Sequence, residues 1–498
     1  MALLMIFLAI LFILCHLSIS LRVYHMFQLN SYKHGVQLVW LSRNLVGAWS
    51  PVRLAAKKPI VYTPRMLRMF ASHFIILFAC LAVSFSFDAI YQAVIAAALT
   101  LTAPLFPLLS NFLNAPLERA INQWYIRDAK RILKSMPSLR VVGVTGSYGK
   151  TSVKNFLQKI LAPKFNCLMT PESYNTTLGV VRTIRSSLRG SHDIFICEMG
   201  ARRRGDIKEI CDIVNPCFGV ITSIGEQHLE SFGSVSNIVD TKFELADALS
   251  RDGVLFLNAD NEFIRERAGD DSCPLPQTIV KWSMAEGREG RSENIYRAFD
   301  LAVSVRGSAF TMAFPDGEEM ALTTPLIGAH NVSNILAAIA VADGLGVKRA
   351  DIALGVARLA PVPHRLQLLH NPLMTIIDDA YNSNPNGAAG ALSALALFDG
   401  YFKILATPGM VELGEKEDEC NGRFGAQAAE VCDFVILIGK ADAKRIKSIL
   451  AGLRGAGYEA EKIFVSENLP LAFEKINLID AGKRHKIVLI ENDLPDNY

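Results

Sequence analysis

The sequence predicts an α/β protein in which a region of transmembrane helices precedes two α/β domains. Three observations support this fold class. Long apolar stretches are concentrated in the first 115 residues, and about 20 apolar residues suffice to cross a bilayer as a helix. Near residue 138 a β-branched run leads into a glycine-containing loop and a helical pattern. From there to the C-terminus, apolar strands alternate with amphipathic helices, as in α/β folds.

The composition fits a partly membrane-embedded protein. Of the 498 residues, 51% are hydrophobic and the mean hydropathy is +0.26, both high for a soluble enzyme. The formal net charge of +3 is too small to indicate a nucleic-acid partner. The nine cysteines form no C-x-x-C pair and no metal-like Cys/His spacing. We interpret them as small buried side chains in a reducing compartment.

Three apolar segments are predicted to span the membrane as helices: 2–21, 70–87 and 89–113. The first lacks a basic start and a small-residue exit, which disfavours a cleaved signal peptide. Only Asp88 separates the other two, which predicts a helical hairpin, and Pro104 and Pro107 are predicted to kink or end its second helix. An alternative interpretation places part of the hairpin at the membrane interface or in an oligomer contact.

The loop 22–69 predicts the orientation in the membrane. It contains eight Lys and Arg residues and no Asp or Glu, so the positive-inside rule places it in the cytoplasm. We therefore predict a multi-pass protein of the cytoplasmic membrane with its N-terminus outside. Residues 116–137 are a predicted linker to domains in the cytoplasm. Membrane lipids are predicted partners, because a basic loop can contact anionic head groups.

A phosphate-binding loop is predicted where the α/β pattern begins. The strand 139–144 leads into T-G-S-Y-G-K-T-S and a helix over 152–161. In this geometry backbone N–H groups face a triphosphate, the lysine neutralises its charge and the threonine can ligate Mg²⁺. The Walker pattern would have glycine where Val144 stands, so the match to the general motif is imperfect. The predicted nucleotide-binding residues are Thr145, Gly146, Ser147, Gly149, Lys150, Thr151 and Ser152.

This form of the loop resembles that of the Mur ligase family, and further segments follow in the family's order. N-T-T-L-G at 175–179 resembles the family's N-x-x-x-G loop, and D-I-F-I-C-E at 193–198 resembles its strand ending in a metal-binding glutamate. G-D-I-K-E-I at 205–210 is similar to the MurF branch. T-S-I-G-E-Q-H-L at 222–229 and T-K-F-E at 241–244 resemble two more motifs of the family.

The resemblance implies a role for individual residues of the central domain, predicted over 138–361. Glu198 and His228 are implied Mg²⁺ ligands together with Thr151. Lys242 occupies a position that is commonly a carbamylated lysine in the family, whose carboxylate helps to hold a second Mg²⁺. Without the other motifs in this order, Glu198 would more often be interpreted as a solvated carboxylate and His228 as a structural histidine.

A C-terminal Rossmann-like domain is predicted over 362–498, from strands such as C-D-F-V-I-L-I-G and K-I-V-L-I-E-N-D. It lacks the glycine motif of a dinucleotide site. The resemblance implies that Asn331 contacts adenine, that Arg365 contacts the nucleotide phosphates on domain closure, and that Asp379 faces the ribose or a nucleotide-bound water. The implied residues on the substrate side are Asn175, Thr176, Tyr381, Asn382, Asn384 and Glu412.

The implied activity is ATP-dependent, ADP-forming ligation, in which a carboxylate becomes an acyl phosphate and then reacts with an amine. ATP and Mg²⁺ are required, and the implied catalytic residues are Lys150, Glu198, His228, Lys242 and Arg365. In MurF-like members a muramoyl tripeptide receives D-alanyl-D-alanine during peptidoglycan precursor synthesis. Those members normally carry a UDP-sugar-binding N-terminal domain, and here the membrane region takes its place.

Two alternatives therefore stay open from the sequence. The first is a Mur-type ligase whose acceptor is lipid-linked or another cell-envelope polymer. The second, from a different class, is a membrane P-loop ATPase that drives transport or assembly. The sequence argues against the ATPase, because the predicted spans contain no charge constellation of the kind that transport requires.

Overall fold

A computed structural model describes most of the chain: residues 2–49, 59–172, 174–227, 229–270, 275, 278–284, 294–381 and 383–493. For residues 2–9, 45, 46 and 230 the description is confined to the backbone. Two predicted site residues, His228 and Asn382, lie outside the described residues, as does the stretch 50–58 of the basic loop. The chain divides into two compact units, with the boundary between Tyr125 and Ile126.

The N-terminal unit is helical, and α6 continues past its end. Its helices are α1 (Ala2–Leu29), α2 (His34–Arg43), α3 (Leu45–Ala48), α4 (Pro64–Ser84), α5 (Ala89–Leu101) and α6 (Phe106–Lys134). Among the described residues, two helical stretches are long and apolar enough to cross a membrane, Ile10–Leu29 and Pro64–Ser84. A third candidate is a broken span, because α5 and the helix from Ala103 meet at an angle of 52°.

The helix bounds differ from the predicted segments in ways that local chemistry explains. The first helix continues eight residues beyond the predicted end at residue 21. The second begins earlier, at Pro64, because Thr63 Oγ1 accepts a hydrogen bond from Met66 N at 3.3 Å and proline is favoured in a first helical turn. The break between α5 and α6 falls at the prolines that were predicted to interrupt the third helix. The predicted linker 116–137 is helical as far as Lys134.

A hydrogen-bonded chain of polar side chains is buried among these helices. His16 Nε2 and His73 Nε2 are 3.0 Å apart, and the Tyr24 hydroxyl lies 3.1 Å from His73 Nδ1. The same hydroxyl donates to the Met69 carbonyl at 3.2 Å. In apolar surroundings such bonds hold helices together. The histidine pair was not predicted, since the two residues are 57 positions apart in the sequence.

The first part of the second unit is built on a sheet of nine strands within the described residues, in the order β2-β3-β1-β4-β5-β6-β7-β8-β9. Neighbouring strands are parallel as far as β7, whereas β7, β8 and β9 pair antiparallel. The elements are β1 (Arg140–Thr145), α7 (Lys150–Leu161), β2 (Cys167–Met169), α8 (Thr177–Ser187), β3 (Ile194–Glu198), α9 (Asp206–Val214), β4 (Phe218–Ile221), α10 (Leu229–Phe232), α11 (Val235–Asp247), β5 (Val254–Asn258), α12 (Glu262–Ala268), β6 (Thr278–Ser283), β7 (Ile295–Ser304), β8 (Gly307–Ala313), β9 (Glu319–Thr324), α13 (Ala329–Gly344) and α14 (Arg349–Ala357).

The C-terminal part has a second sheet, six-stranded within the described residues, in the order β10-β11-β15-β12-β13-β14. All its pairs are parallel except β10 with β11. The elements are β10 (Gln367–His370), β11 (Met374–Asp379), α15 (Pro385–Ala396), β12 (Phe402–Thr407), α16 (Glu417–Val431), β13 (Phe434–Ile438), α17 (Lys444–Gly455), β14 (Ile463–Ser466), α18 (Leu469–Leu478) and β15 (Lys486–Glu491).

The hydrophobic core beside the first sheet anchors the elements that flank the phosphate loop. Helix α13 packs against α7, and each of its residues from Ile335 to Ala342 is completely buried. A helix that is apolar all round belongs inside a protein. Val142, Val144, Phe156 and Leu157 join the same cluster. The strand and the helix that flank the phosphate loop are therefore anchored in one core.

Candidate active site

The phosphate loop joins β1 to α7 and requires glycine at two positions. Gly146 has a φ of 146° and Gly149 a φ of 80°, both in the region that side chains rarely adopt. A Cβ atom at Gly146 would clash with the hydroxyl of Thr222, and one at Gly149 would clash with the side-chain amide of Asn334. The backbone of the loop is thus packed tightly between the end of β4 and helix α13.

Side chains of the phosphate loop form hydrogen bonds that stabilise the conformation of the loop. Thr145 Oγ1 donates to the Met199 carbonyl at 3.0 Å, and Ser147 Oγ donates to the Gly225 carbonyl at 3.2 Å. Ser147 N donates to the Ser223 carbonyl at 2.6 Å. Ser152, also predicted to bind nucleotide, is buried at the start of α7. These side chains therefore hold the conformation of the loop, and the nucleotide contacts predicted for these residues remain predictions.

Lys150 is held over the loop by the loop's own carbonyls. Its Nζ donates to the carbonyls of Gly146 and Ser147, both at 2.8 Å. Burial, with Glu198 opposing it and Arg365 adding to it, lowers the pKa of Lys150 to about 8. The ammonium is thus placed among the groups that were predicted to face the nucleotide phosphates.

Glu198 ends β3 at the carboxyl edge of the sheet, where α/β proteins present ligand-binding groups. Its Oε1 accepts from Asn175 Nδ2 at 3.0 Å, and its Oε2 lies 2.9 Å from Lys154 Nζ. Burial by itself would raise the pKa of Glu198, but the charges of Lys154 and Lys150 outweigh it and lower that pKa. The carboxyl is therefore ionised although it is almost completely buried.

The donor set around this carboxylate fits Mg²⁺, which the family implies. Mg²⁺ prefers oxygen ligands, commonly one or two carboxylates together with phosphate oxygens and water. Glu198 supplies a carboxylate, and Thr151 supplies a hydroxyl at the start of α7. Each carboxylate oxygen can accept two bonds, so the hydrogen bond from Asn175 and the ion pair with Lys154 leave acceptor capacity for a metal.

Lys242 is buried on α11, and its surroundings favour the neutral amine. Burial is the main cause, the charge of Lys150 adds to it, and together they lower the pKa of Lys242 to about 7 although Glu244 and Asp206 oppose them. Glu244, the other end of the K-x-E motif, accepts from the backbone N–H groups of Gly205 and Lys208 at the start of α9. The glutamate of this motif therefore stabilises a helix terminus.

Arg365 reaches the phosphate loop from the linker between the two sheets. Its Nη2 donates to Thr151 Oγ1 at 3.4 Å, and its guanidinium lies 4.6 Å from the centre of the Tyr381 ring. Asp379 Oδ1 accepts from Leu366 N at 3.1 Å, next to Arg365 in the chain. Burial raises the pKa of Asp379 to about 6, although this N–H group and Arg365 oppose the shift. The structure thus brings Lys150, Thr151, Arg365 and Tyr381 together.

Several other predicted site residues have a visible structural task. Thr176 accepts from Gly179 N at 3.4 Å and caps α8, and Asn384 accepts from Gly387 N at 2.8 Å and caps α15. Asn331 Nδ2 donates to the Ile327 carbonyl at 2.9 Å in the first turn of α13. Glu412 has a φ of 64° in the loop after β12. Their predicted contacts with nucleotide or substrate remain predictions.

Sequence reasoning missed two buried charged residues. Lys154 lies one helical turn after Lys150 and pairs with Glu198. Glu491 ends β15, where it accepts hydrogen bonds from the hydroxyls of Ser383 and Thr407. Burial raises the pKa of Glu491 to about 7, although both hydroxyls lower it. The sequence contains a pattern that could have predicted each of them. Lys154 follows Lys150 at helical spacing, and Glu491 ends an apolar strand as Glu198 does.

Comparison with known proteins identifies the family. Two family models match the chain, the Mur ligase middle domain over residues 144–342 and the Mur ligase, glutamate ligase domain over residues 364–490. The UDP-N-acetylmuramoyl-tripeptide–D-alanyl-D-alanine ligase of Escherichia coli (strain K12) is 31% identical over 340 residues, which are 66% of this chain and 72% of that ligase. The chain belongs to the Mur ligase family. The ligase of the same name from Bacillus subtilis (strain 168) is 32% identical over 315 residues, 63% of this chain and 65% of that ligase.

Solved structures agree with this placement. MurF from Acinetobacter baumannii superposes with a TM-score of 0.64 and 26% identity, covering 74% of this chain and 77% of that one. The MurF ligase of Thermotoga maritima, solved in complex with ADP, gives a TM-score of 0.63 and 25% identity over 75% of this chain and 80% of that one. The predicted fold class and family are confirmed. This Mur ligase is an ATP-dependent, ADP-forming amide ligase. Neither the alternative of a lipid-linked or other cell-envelope acceptor nor the membrane ATPase alternative is favoured.

Carbamylation of Lys242 is expected to depend on pH. Only a neutral amine attacks CO₂, and with a pKa of about 7 the neutral form of Lys242 predominates above pH 7. We expect ¹³C-bicarbonate to give an NMR carbamate signal that is present at pH 8 and lost as the pH falls below 7. The signal should vanish in Lys242→Ala and persist in Lys208→Ala, which removes an exposed lysine. A signal of equal size in both variants would contradict the prediction.

Proposed function

We propose that this Mur ligase is MurF-like and adds D-alanyl-D-alanine to a UDP-N-acetylmuramoyl tripeptide in peptidoglycan precursor synthesis. One observation carries the proposal: Lys150, Thr151 and Arg365 meet at the phosphate loop of a chain whose curated relatives are named for that reaction. The MurF form of the segment 378–385, D-D-A-Y-N-S-N-P, supports the same assignment.

The proposed reaction activates the acceptor carboxylate before the amide forms. A carboxylate oxygen attacks the γ-phosphorus of ATP, ADP leaves, and an acyl phosphate results. The amine then attacks the acyl carbon, loses a proton and expels phosphate. Lys150 and Arg365 balance the charge that develops on the phosphoryl oxygens during the first step, and such electrostatic positioning is the main contribution expected of the protein.

Four residues are assigned to metal binding in this proposal. Glu198 and Thr151 would hold Mg²⁺, which when bound neutralises charge on the transferring phosphoryl group. A carbamylated Lys242 would add a second carboxylate ligand. His228 is proposed as a further Mg²⁺ ligand and lies outside the described residues.

The substrate side of the proposed site lies at the carboxyl ends of strands from both sheets. Asn175 contacts Glu198 directly, and the Tyr381 ring supports the Arg365 guanidinium. Asp379 would face the nucleotide, and Asn331 the adenine. Thr176, Asn384 and Glu412 would shape the substrate pocket through the loops that they begin or end. Asn382, which follows Tyr381 in the sequence, lies outside the described residues.

A direct assay of ligation tests the proposed function. The detergent-solubilised full chain, supplied with Mg-ATP, should release phosphate only when UDP-muramoyl tripeptide and D-alanyl-D-alanine are both present, and mass spectrometry should detect the pentapeptide product. Omitting either substrate provides the control. Phosphate release that needs no acceptor would contradict ligation, and turnover confined to a lipid-linked acceptor would contradict the MurF-like substrate.

We further propose that the N-terminal unit anchors the enzyme at the cytoplasmic face of the membrane. Ile10–Leu29 and Pro64–Ser84 are long and apolar enough to span, and their unit exposes large apolar side chains such as Ile75, Phe85 and Ile90. Exposed apolar surface of this extent favours a lipid environment over water.

Membrane fractionation tests the anchor. The full chain is expected to stay with the membrane pellet after washes with high salt and alkaline carbonate, because the contact is apolar rather than ionic. The turn between α4 and α5 lies outside if loop 22–69 is cytoplasmic and Pro64–Ser84 spans the membrane. Ser86→Cys in this turn should therefore react with an impermeant maleimide in intact cells beyond the background of the native cysteines. Ser250→Cys, in the central domain, should react only after lysis. Release of the chain by carbonate would contradict the anchor.

A further inference from the structure

Lys154 is a buried lysine that faces the predicted metal-binding carboxylate. It lies four residues after Lys150, so both project from one face of α7. Its side chain is 1% exposed, and its Nζ is 2.9 Å from Glu198 Oε2. The same Nζ donates to the Glu172 carbonyl at 2.6 Å. Lysine is almost never buried to this extent unless it is paired, and here its partner is Glu198.

The ion pair with Lys154 changes the electrostatic potential that a metal ion would experience at Glu198. Glu198 and Lys154 together carry no net charge, and the ammonium of Lys150 adds positive potential nearby. Glu198 Oε1 is oriented by Asn175 Nδ2 at 3.0 Å. A free divalent cation therefore finds a fixed oxygen ligand without the negative charge that would attract it. The phosphates of ATP supply that missing charge.

We propose that Lys154 is a positioning residue that holds Glu198 in place and keeps its affinity for a free divalent cation low, so that the metal binds together with the nucleotide phosphates. The inference rests on the proposed function, because it takes Glu198 as a metal ligand of the ligase. It assigns Lys154 a task distinct from that of Lys150, which faces the phosphates. Lys154 acts through Glu198 and does not itself touch the substrate.

Binding of Mn²⁺ in the absence of nucleotide tests the proposal without any turnover. Electron paramagnetic resonance would measure free Mn²⁺ with the native chain, with Lys154→Gln and with Lys154→Arg. Glutamine keeps hydrogen-bond donors for Glu172 and Glu198 but removes the charge, so its Mn²⁺ affinity is expected to rise at least about tenfold, well within the range of buried charge interactions. The Lys154→Arg variant keeps the positive charge, so it should bind Mn²⁺ as weakly as the native chain does.

Matched variants separate this task from a general effect of substitution. Lys159→Gln removes an exposed lysine from the same helix and should leave Mn²⁺ binding unchanged. In Lys154→Gln/Glu198→Gln the gain in affinity should disappear, because the carboxylate that binds the metal is gone. At saturating Mg-ATP, Lys154→Gln should lower kcat more than it alters the KM for ATP, since Glu198 is less well fixed.

The proposal is overturned if Lys154→Gln binds free Mn²⁺ no more tightly than the native chain. It is also overturned if the native chain binds Mn²⁺ equally well with and without a non-hydrolysable ATP analogue, a measurement that does not depend on any variant folding. Failure of the proposed function would look different: native enzyme would not form the amide product, or Glu198→Gln would leave the dependence of turnover on Mg²⁺ unchanged.

Discussion

Replacing Lys150 with alanine is expected to lower kcat for ligation by roughly 10³-fold. The ammonium lies over the loop, 2.8 Å from the carbonyls of Gly146 and Ser147, and alanine leaves the phosphoryl charge without this partner. Phosphate release in the presence of both substrates is the measurement.

The fold should survive the loss of Lys150. Its ammonium has a lowered pKa because burial disfavours its charge, so relief of that burial offsets part of the loss of its two hydrogen bonds. Thermal denaturation should therefore still show a cooperative unfolding transition, and Lys159→Ala on the exposed side of α7 should retain full activity. An active Lys150→Ala enzyme would refute the assignment of the phosphate loop.

Replacing Arg365 with alanine is expected to lower kcat by roughly 10²- to 10³-fold, with a smaller effect on the KM for ATP. The guanidinium is placed between Thr151 Oγ1 and the ring of Tyr381, where it can meet charge that develops on the transferring phosphoryl group. Rapid-quench measurement of ADP formation in a single turnover would separate this step from product release.

Lysine should not restore activity at position 365. Its compact ammonium lacks the planar fork that stacks on an aromatic ring and forms two parallel hydrogen bonds. Arg358→Ala provides a matched control, because that arginine is exposed at the end of α14. If Arg365→Ala and Arg358→Ala proved equally active, the predicted role of the linker arginine would be wrong.

The order of motifs along the chain predicted the family and the elements around the phosphate loop. The strand expected at 139–144 is β1, displaced by one residue, and Glu198 ends β3 as expected. These features depend on residues close together in the sequence, where periodicity and turn chemistry are informative. Lys150 and Thr151 follow from the same local pattern.

Pairings between distant residues could not be predicted in the same way. Lys154 meets Glu198, and His16 meets His73, only because the fold brings separate elements together. For Thr176 and Asn384, the resemblance to the family implied contacts with the substrate. In the structure the side chains of both residues accept hydrogen bonds that cap helices. Residues of this type favour helix starts for reasons of backbone chemistry alone.

The carboxylate of Glu491 couples two segments of the C-terminal domain. Ser383 follows β11 and Thr407 ends β12, yet both hydroxyls donate to this one side chain. A substitution of either residue changes the hydrogen bonding of the carboxylate that the other residue also contacts. Mutations of the two loops should therefore combine non-additively. Homologues with a different residue at one position are expected to have changed the other as well, so that grafting a single loop between relatives would fail where exchanging both together succeeds.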